Sequence, residues 1–170
     1  MKRILILRHA KSSWTDPNLS DFERPLNERG LRTAPFMGKL IVERGLSPAA
    51  IVSSPAKRAR QTAELVVNEI GVETNLSFDD RIYEASPNAL RIVVSETSND
   101  LTSVMVVGHN PGIEGFIRHL TGKIESMPTA ALAVIDLNIE SWKEINHDTG
   151  SLITIIRPKE EMPSVGGAAA

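Results

Sequence analysis

The sequence predicts a single α/β domain, a three-layer α/β/α sandwich with a mostly parallel central sheet. Short apolar runs of four to seven residues recur along the chain, and such runs are typical of strands buried on both faces of a sheet. Longer segments with helical periodicity separate them. Because strands that alternate with helices are typical of parallel sheets, the pattern favours this architecture over an all-β or all-helical one.

Five strands are predicted from the apolar runs. They lie at residues 4–7, 50–53, 104–107, 131–137 and 152–156. At 170 residues the chain has the length of one domain, and no internal repeat or second core interrupts the alternation.

The first helix is predicted over residues 27–44. Asn27 is a suitable N-cap, and Gly45 stands just beyond the expected end. Pro35 falls inside this span and predicts either a kink or a later start of the helix.

The second helix is predicted to begin at Ser54 and Pro55, as N-cap and first helical residue, and to end at Gly71. Two further helices are expected at residues 87–97 and 111–120. We expect the domain to span residues 1–157 and residues 158–170, rich in charge, Pro, Gly and Ala, to form a disordered tail.

Composition excludes several classes of function. The net charge of −2 gives no overall attraction to nucleic acid or to anionic membranes, so neither is an expected partner. The absence of cysteine removes disulfides, thiolate nucleophiles and zinc–cysteine sites. The N-terminal apolar run is too short for a signal peptide, and no segment has the length of a membrane span, so we expect a cytoplasmic protein.

Two predicted strands end in the same way. In ILILRHA a four-residue apolar run leads through Arg8 to His9, and in VMVVGHNPG a similar run leads through Gly108 to His109. Ligands of open α/β sheets bind beyond the carboxyl ends of the strands. If the two strands are parallel neighbours, both histidines lie at this edge of the sheet. The strand at 50–53 leads into the run KRAR, which places Arg58 in the first turns of a helix that starts at the same edge.

Two histidines, two arginines and a helix N-terminus suit phosphoryl transfer onto histidine. Guanidinium groups match phosphate oxygens, and a neutral imidazole is a competent nucleophile. Alternatives remain open: a histidine after a strand is often only a polar cap, a basic run is often a solvated face, and spacing does not choose between Arg58 and Arg60. His119 and His147 have no such setting and receive no role.

Three motifs resemble those of the histidine phosphatase (phosphoglycerate-mutase-like) superfamily. LRHA at residues 7–10 is similar to its RHG signature, SSPAKRARQTAE at 53–64 to its second arginine segment, and VVGHNPG at 106–112 to its second-histidine segment. LRHAKSSW, followed by RPLNERG at 24–30, is most similar to the small branch of SixA-like phosphohistidine phosphatases. The resemblance covers residues 3–157 and implies the phosphoglycerate-mutase-like fold.

By this resemblance, His9 is the nucleophile, Arg8 and Arg58 bind the phosphoryl oxygens, and His109 completes the phosphoryl pocket. No metal or other cofactor is implied. The sequence departs from the family at Ala10, where glycine is usual, and a negative φ is therefore expected there.

The general acid is less well defined. The segment DRIYE resembles the mutase segment that carries a catalytic glutamate, so Glu84 is the candidate acid; the alternative is a surface carboxylate that opens a loop. Asn110 occupies the position where the acid-phosphatase branch has a proton-donating aspartate. Lys11 and Trp14 follow the nucleophile and shape the pocket rim, unless Trp14 only anchors its loop.

The leading hypothesis is a metal-independent phosphatase that forms a phosphohistidine intermediate and acts on phosphohistidine in a protein, with inorganic phosphate as product. The first alternative is a small-molecule phosphomonoesterase, and the second is a phosphate-binding module without turnover. Short loops and no long insertion predict a shallow pocket, which disfavours a mutase because a mutase must shield its intermediate from water.

Overall fold

A central six-stranded sheet organises the structure, a computed structural model that describes residues 1–71, 73 and 75–163. The strand order is β3-β2-β4-β1-β5-β6. β1 to β4 are mutually parallel, and β5 pairs antiparallel with both β1 and β6. The strands are β1 (Lys2–Arg8), β2 (Ala50–Ser53), β3 (Asn75–Phe78), β4 (Ser103–Gly108), β5 (Leu132–Leu137) and β6 (Gly150–Ile156).

Helices cover both faces of the sheet, which confirms the three-layer sandwich. They are α1 (Glu28–Glu43), α2 (Lys57–Ile70), α3 (Pro87–Ser95), α4 (Gly112–Thr121) and the short α5 (Pro158–Glu161). One buried cluster lies between the sheet and α1 and α2, and the other between the sheet and α3 and α4. β1 contributes to both, because Ile4 and Ile6 face one cluster and Leu5 and Leu7 the other, all with no exposed surface.

Most predicted elements lie where the sequence pattern placed them, and β3 was not predicted. Its residues, NLSF, alternate between polar and apolar side chains over only four positions, and the strand lies mostly exposed at the edge of the sheet. Asn27 caps α1 as expected, because its side chain accepts a hydrogen bond from the Gly30 amide at 2.9 Å. The helix continues through Pro35, so the later start is not observed.

The predicted start of α2 is wrong by two residues. Ser54 still pairs with the sheet, since its amide donates to the Val107 carbonyl at 3.0 Å, and Ala56 takes the N-cap position before Lys57. This leaves the Ser54 side chain beside β4.

Folded chain continues beyond the expected boundary at residue 157. α5 adds a helical turn with Pro158 buried, and Glu161 forms an ion pair with Arg44 at 2.7 Å. Residues 164–170 of the expected tail lie outside the described residues. Within the described part of the chain, no helix is both long and apolar enough to cross a membrane.

Candidate active site

The sheet register brings His9 and His109 together. β1 and β4 are parallel neighbours with Arg8 opposite Gly108, and the His9 amide donates to the Gly108 carbonyl at 3.1 Å. The two imidazole centroids are 5.1 Å apart, with the rings inclined by 52°. A single tetrahedral anion can therefore contact both rings.

The His9 ring is fixed and uncharged. Its Nδ1 lies 2.7 Å from the Ala10 carbonyl oxygen. Since a carbonyl only accepts, Nδ1 carries the proton and Nε2 keeps its lone pair. The pKa of His9 is lowered to about 3, chiefly by burial; the Ala10 hydrogen bond opposes this effect, and the neighbouring His109, Arg58 and Arg8 add to it. At neutral pH the ring is a neutral base with a free Nε2.

Ala10 fits the position where the family has glycine. The residue is fully buried, and its φ is not among the positive values found at non-glycine residues. Its amide donates to Thr62 Oγ1 at 3.0 Å, which ties the backbone after the nucleophile to α2.

His109 is held by a residue that the sequence analysis did not single out. The Ser54 hydroxyl lies 2.8 Å from its Nε2, while its Nδ1 is buried without a hydrogen-bond partner. Burial lowers the pKa of His109 to about 4, helped by the nearby Arg58 and opposed by Asp21. Ser54 directly follows β2, just as the two histidines follow their strands, and this shared position was the available signal.

Arg58 and Arg60 have different environments. Arg58 is buried, lies in the cleft beside His109 and shares that cleft with Asp21. Arg60 is exposed, and its guanidinium stacks on the Phe78 ring at 4.1 Å, outside the cleft. The structure thus separates the two arginines that spacing alone left open.

Asp21 organises Arg58 and Tyr83. Arg58 donates from Nη1 to the Asp21 carbonyl oxygen at 2.6 Å and from Nη2 to its Oδ2 at 3.0 Å, while Arg58 Nε is buried and unpartnered. The Tyr83 hydroxyl donates to the same Oδ2 at 2.6 Å. These hydrogen bonds, that of Tyr83 first, lower the pKa of Asp21 to about 2. No pattern in the sequence pointed to Asp21.

Arg8 is supported from the opposite side. Its Nη1 donates to the Met127 carbonyl at 3.1 Å, and its Nε is buried without a partner. Burial lowers the pKa of Arg8, and Glu114 opposes that effect. Asn110 donates to Glu114 Oε2 at 2.8 Å and to the Met127 carbonyl at 3.0 Å, so its side chain anchors the loop that holds Arg8.

Glu84 lies in the same cleft as Arg58 and His109. This cleft has a volume of about 380 Å³, and Asp21 and Tyr83 also line it. Glu84 is exposed and has a φ of 56°, a left-handed conformation that is unusual for a non-glycine residue. The candidate acid therefore faces the cleft, although it is not buried in it.

Trp14, His119 and His147 lie outside the cleft. Trp14 is 74% exposed, and its ring packs 3.4 Å from the Arg24 guanidinium, three residues from Asp21. His119 and His147 contact each other, with centroids 5.8 Å apart, and neither lines the cleft.

Comparisons with known proteins identify the family of this chain. The model of the histidine phosphatase superfamily (branch 1) matches residues 4–91. A protein of Agrobacterium tumefaciens that carries the name phosphohistidine phosphatase SixA has a crystal structure that superposes with a TM-score of 0.80 at 30% identity, covering 92% of this chain and 98% of that one.

Two further proteins are similar to this chain. A structure of the protein histidine phosphatase SixA complexed with tungstate shares the fold, with a TM-score of 0.81, 21% identity and coverage of 93% and 98%. An uncharacterized chloroplast protein of Arabidopsis thaliana is 29% identical over 152 residues, which are 84% of this chain and 70% of the relative. From its motifs, its fold and the matching family model, the chain belongs to the histidine phosphatase superfamily.

Proposed function

We propose that this phosphatase hydrolyses phosphohistidine in a protein, through a phosphoryl group carried briefly on His9 and without a metal ion. The observation that carries the proposal is the state of His9: a buried neutral ring whose Nδ1 proton is committed to Ala10, which leaves Nε2 free to attack.

Three unpartnered nitrogens support a phosphoryl site around that ring. Arg8 Nε, Arg58 Nε and His109 Nδ1 are all buried and have no hydrogen-bond partner among the residues that the structure describes. A buried donor without a partner costs about 1–3 kcal/mol, so an anion that accepts from these atoms recovers that cost. When Ser54 donates its hydroxyl proton to His109 Nε2, the tautomer places the ring proton on Nδ1, which completes the set of donors.

The reaction has two displacements. His9 Nε2 attacks phosphorus, a P–N bond forms, and the bond from phosphorus to the substrate imidazole breaks as that imidazole takes up a proton from solvent. Water then attacks phosphorus and returns one proton to solvent, the bond to Nε2 breaks, and inorganic phosphate leaves with His9 neutral again. The arginines and His109 stabilise the negative charge that develops on the phosphoryl oxygens.

The leaving group favours phosphohistidine over a phosphomonoester. Imidazole leaves more readily than an alkoxide, so such a substrate depends less on an acid. The exposed position of Glu84 suits this weak dependence. The likeness to proteins that carry the SixA name also favours a protein phosphohistidine.

The decisive experiment measures phosphate release from a phosphohistidine protein, free phosphohistidine and simple phosphomonoesters, all in EDTA. We expect turnover on phosphohistidine, and acid-labile, alkali-stable label on the wild-type protein. His9→Asn keeps a donor near Ala10 but removes the nucleophile, so both signals should vanish, whereas His147→Gln, on an exposed ring outside the cleft, should leave them intact. Turnover that requires a divalent ion, or label on a residue other than His9, would refute the scheme.

A second candidate, a small-molecule phosphomonoesterase, is favoured by the presence of Glu84 in the cleft. Glu84→Gln tests it. We expect a larger loss of kcat on phosphomonoesters than on phosphohistidine, because only the alkoxide requires a proton as it leaves. Equal losses on both substrates would remove Glu84 as the general acid.

A further inference from the structure

A second cleft, which we call the basic cleft, lies next to the phosphoryl site. Its volume is about 360 Å³, and four basic residues line it: Arg8, Lys11, Arg29 and Lys159. None of the described residues that line it carries a carboxylate, and Thr33 and Thr129 add hydroxyl groups. In a chain of net charge −2, this is a local concentration of positive charge that folding has produced.

Three separate segments supply these charges. Lys11 lies on the loop after β1, Arg29 in the first turn of α1, and Lys159 on α5. All three side chains are exposed, and among the described residues none forms an ion pair or a side-chain hydrogen bond. Like charges in one cleft repel each other, so an anion bound there would relieve that repulsion.

Arg8 connects the basic cleft to the nucleophile. It directly precedes His9, lines the basic cleft, and has the unpartnered Nε described above. Lys11 follows His9 by two residues and lines the same cleft. When the phosphorylated residue of a protein substrate lies at His9, the neighbouring residues of that substrate therefore lie over the basic cleft.

We propose that the basic cleft binds carboxylate side chains that flank the phosphorylated residue of the protein substrate. This inference rests on the proposed function and names the kind of segment that the site accepts. A small bisphosphate would require donors fixed in place. Lys11, Arg29 and Lys159 are instead long, exposed and unrestrained, and such side chains adapt to carboxylates at varying positions along a peptide.

The expected gain is modest, because these cations are exposed to solvent. Exposed pairs typically improve binding by about two- to five-fold each, so we expect about a ten-fold preference for an acidic segment at low ionic strength. The preference should reside in KM rather than in kcat, since the contacts are made equally in the ground state and in the transition state.

The test compares two phosphohistidine peptides that differ only in flanking Glu or Gln residues. For the wild-type protein we expect about a ten-fold higher kcat/KM on the Glu peptide, and the preference should fall towards unity as salt rises. The combined variant Lys11→Gln, Arg29→Gln, Lys159→Gln should lose it. A matched variant, Lys39→Gln, Lys123→Gln, Lys143→Gln, changes the net charge equally outside the cleft and should keep it.

Binding of the unphosphorylated peptides, measured by fluorescence anisotropy, separates this inference from the proposed function. Suppose that phosphohistidine is not hydrolysed, yet the Glu peptide binds more tightly to the wild-type protein than to the combined variant. The proposed function is then refuted, whereas the binding of carboxylates by the basic cleft is supported. Equal kcat/KM on both peptides, equal loss in the matched variant, or a preference only for a small bisphosphate would overturn the inference.

Discussion

Lowering the pH from 7 to 5 should destabilise the fold through the two site histidines. An unfolded histidine has a pKa of 6.5, whereas burial lowers the pKa of His9 to about 3 and that of His109 to about 4. The unfolded chain therefore binds protons at a pH where the folded histidines remain neutral. As a result, the free energy of unfolding is greatest above pH 6.5 and decreases as the pH falls towards the pKa values of the folded state.

The magnitude follows from this gap. Between pH 7 and pH 5 each histidine removes about 2 kcal/mol from the free energy of unfolding, and the pair about 4 kcal/mol. Asp21 does not contribute in this window, because its pKa is lowered to about 2 and its effect begins only below the usual carboxylate range. A loss of this size is a large part of the 5–15 kcal/mol that typical domains have.

Urea unfolding at pH 7 and at pH 5 measures the effect. The double variant His9→Asn, His109→Gln replaces both imidazoles with neutral amides. The Asn amide lies near the position of His9 Nδ1, and the Gln amide near that of His109 Nε2. Most of the decrease in unfolding free energy between pH 7 and pH 5 should then disappear. His147→Gln should behave as the wild type, since this exposed ring is outside the site. If the double variant loses as much stability on acidification as the wild type, the buried histidines are not the cause.

Two further predictions concern the loops around the site. Asp21→Asn removes the charge that Arg58 and Tyr83 share, so Arg58 should be held less firmly and kcat/KM should fall about ten-fold with little loss of Tm; unchanged kinetics would contradict the positioning role. Gly30→Ala places a Cβ in steric conflict with the Lys11 carbonyl oxygen, so the loop after His9 must shift and urea unfolding should show a loss of about 1–3 kcal/mol. Gly45→Ala, with nothing within 4 Å but a φ of +67°, isolates the cost of backbone strain alone.

The sequence reveals this fold wherever apolar periodicity reflects burial. β1 and β4 are buried on both faces, so their uninterrupted apolar runs marked them, and polar residues at their ends marked the edge of the sheet. β3 is an exposed edge strand without an uninterrupted apolar run, and its alternation of polar and apolar residues, NLSF, extends over only four positions. α5 is a single turn, too short for periodicity to appear.

The candidate site divides in the same way. Residues that leave strands could be placed from the sequence, because parallel strands bring their carboxyl ends to one edge. Asp21 could not, since it reaches Arg58 across 37 residues and Tyr83 across 62 through the path of an irregular loop. The environment of Arg60 was equally hidden, because its stacking partner Phe78 lies on the strand that the pattern missed.

The central place of β1 has a consequence for biosynthesis. β1 leaves the ribosome before both of its neighbours in the sheet, β4 and β5, which begin at residues 103 and 132. The apolar segment of β1 must therefore remain unpaired until β4 has been synthesised. A nascent chain that ends between β1 and β4 carries His9 but not His109, so the two imidazoles come together only after β4 is made, and the unpaired strand is exposed to aggregation until then.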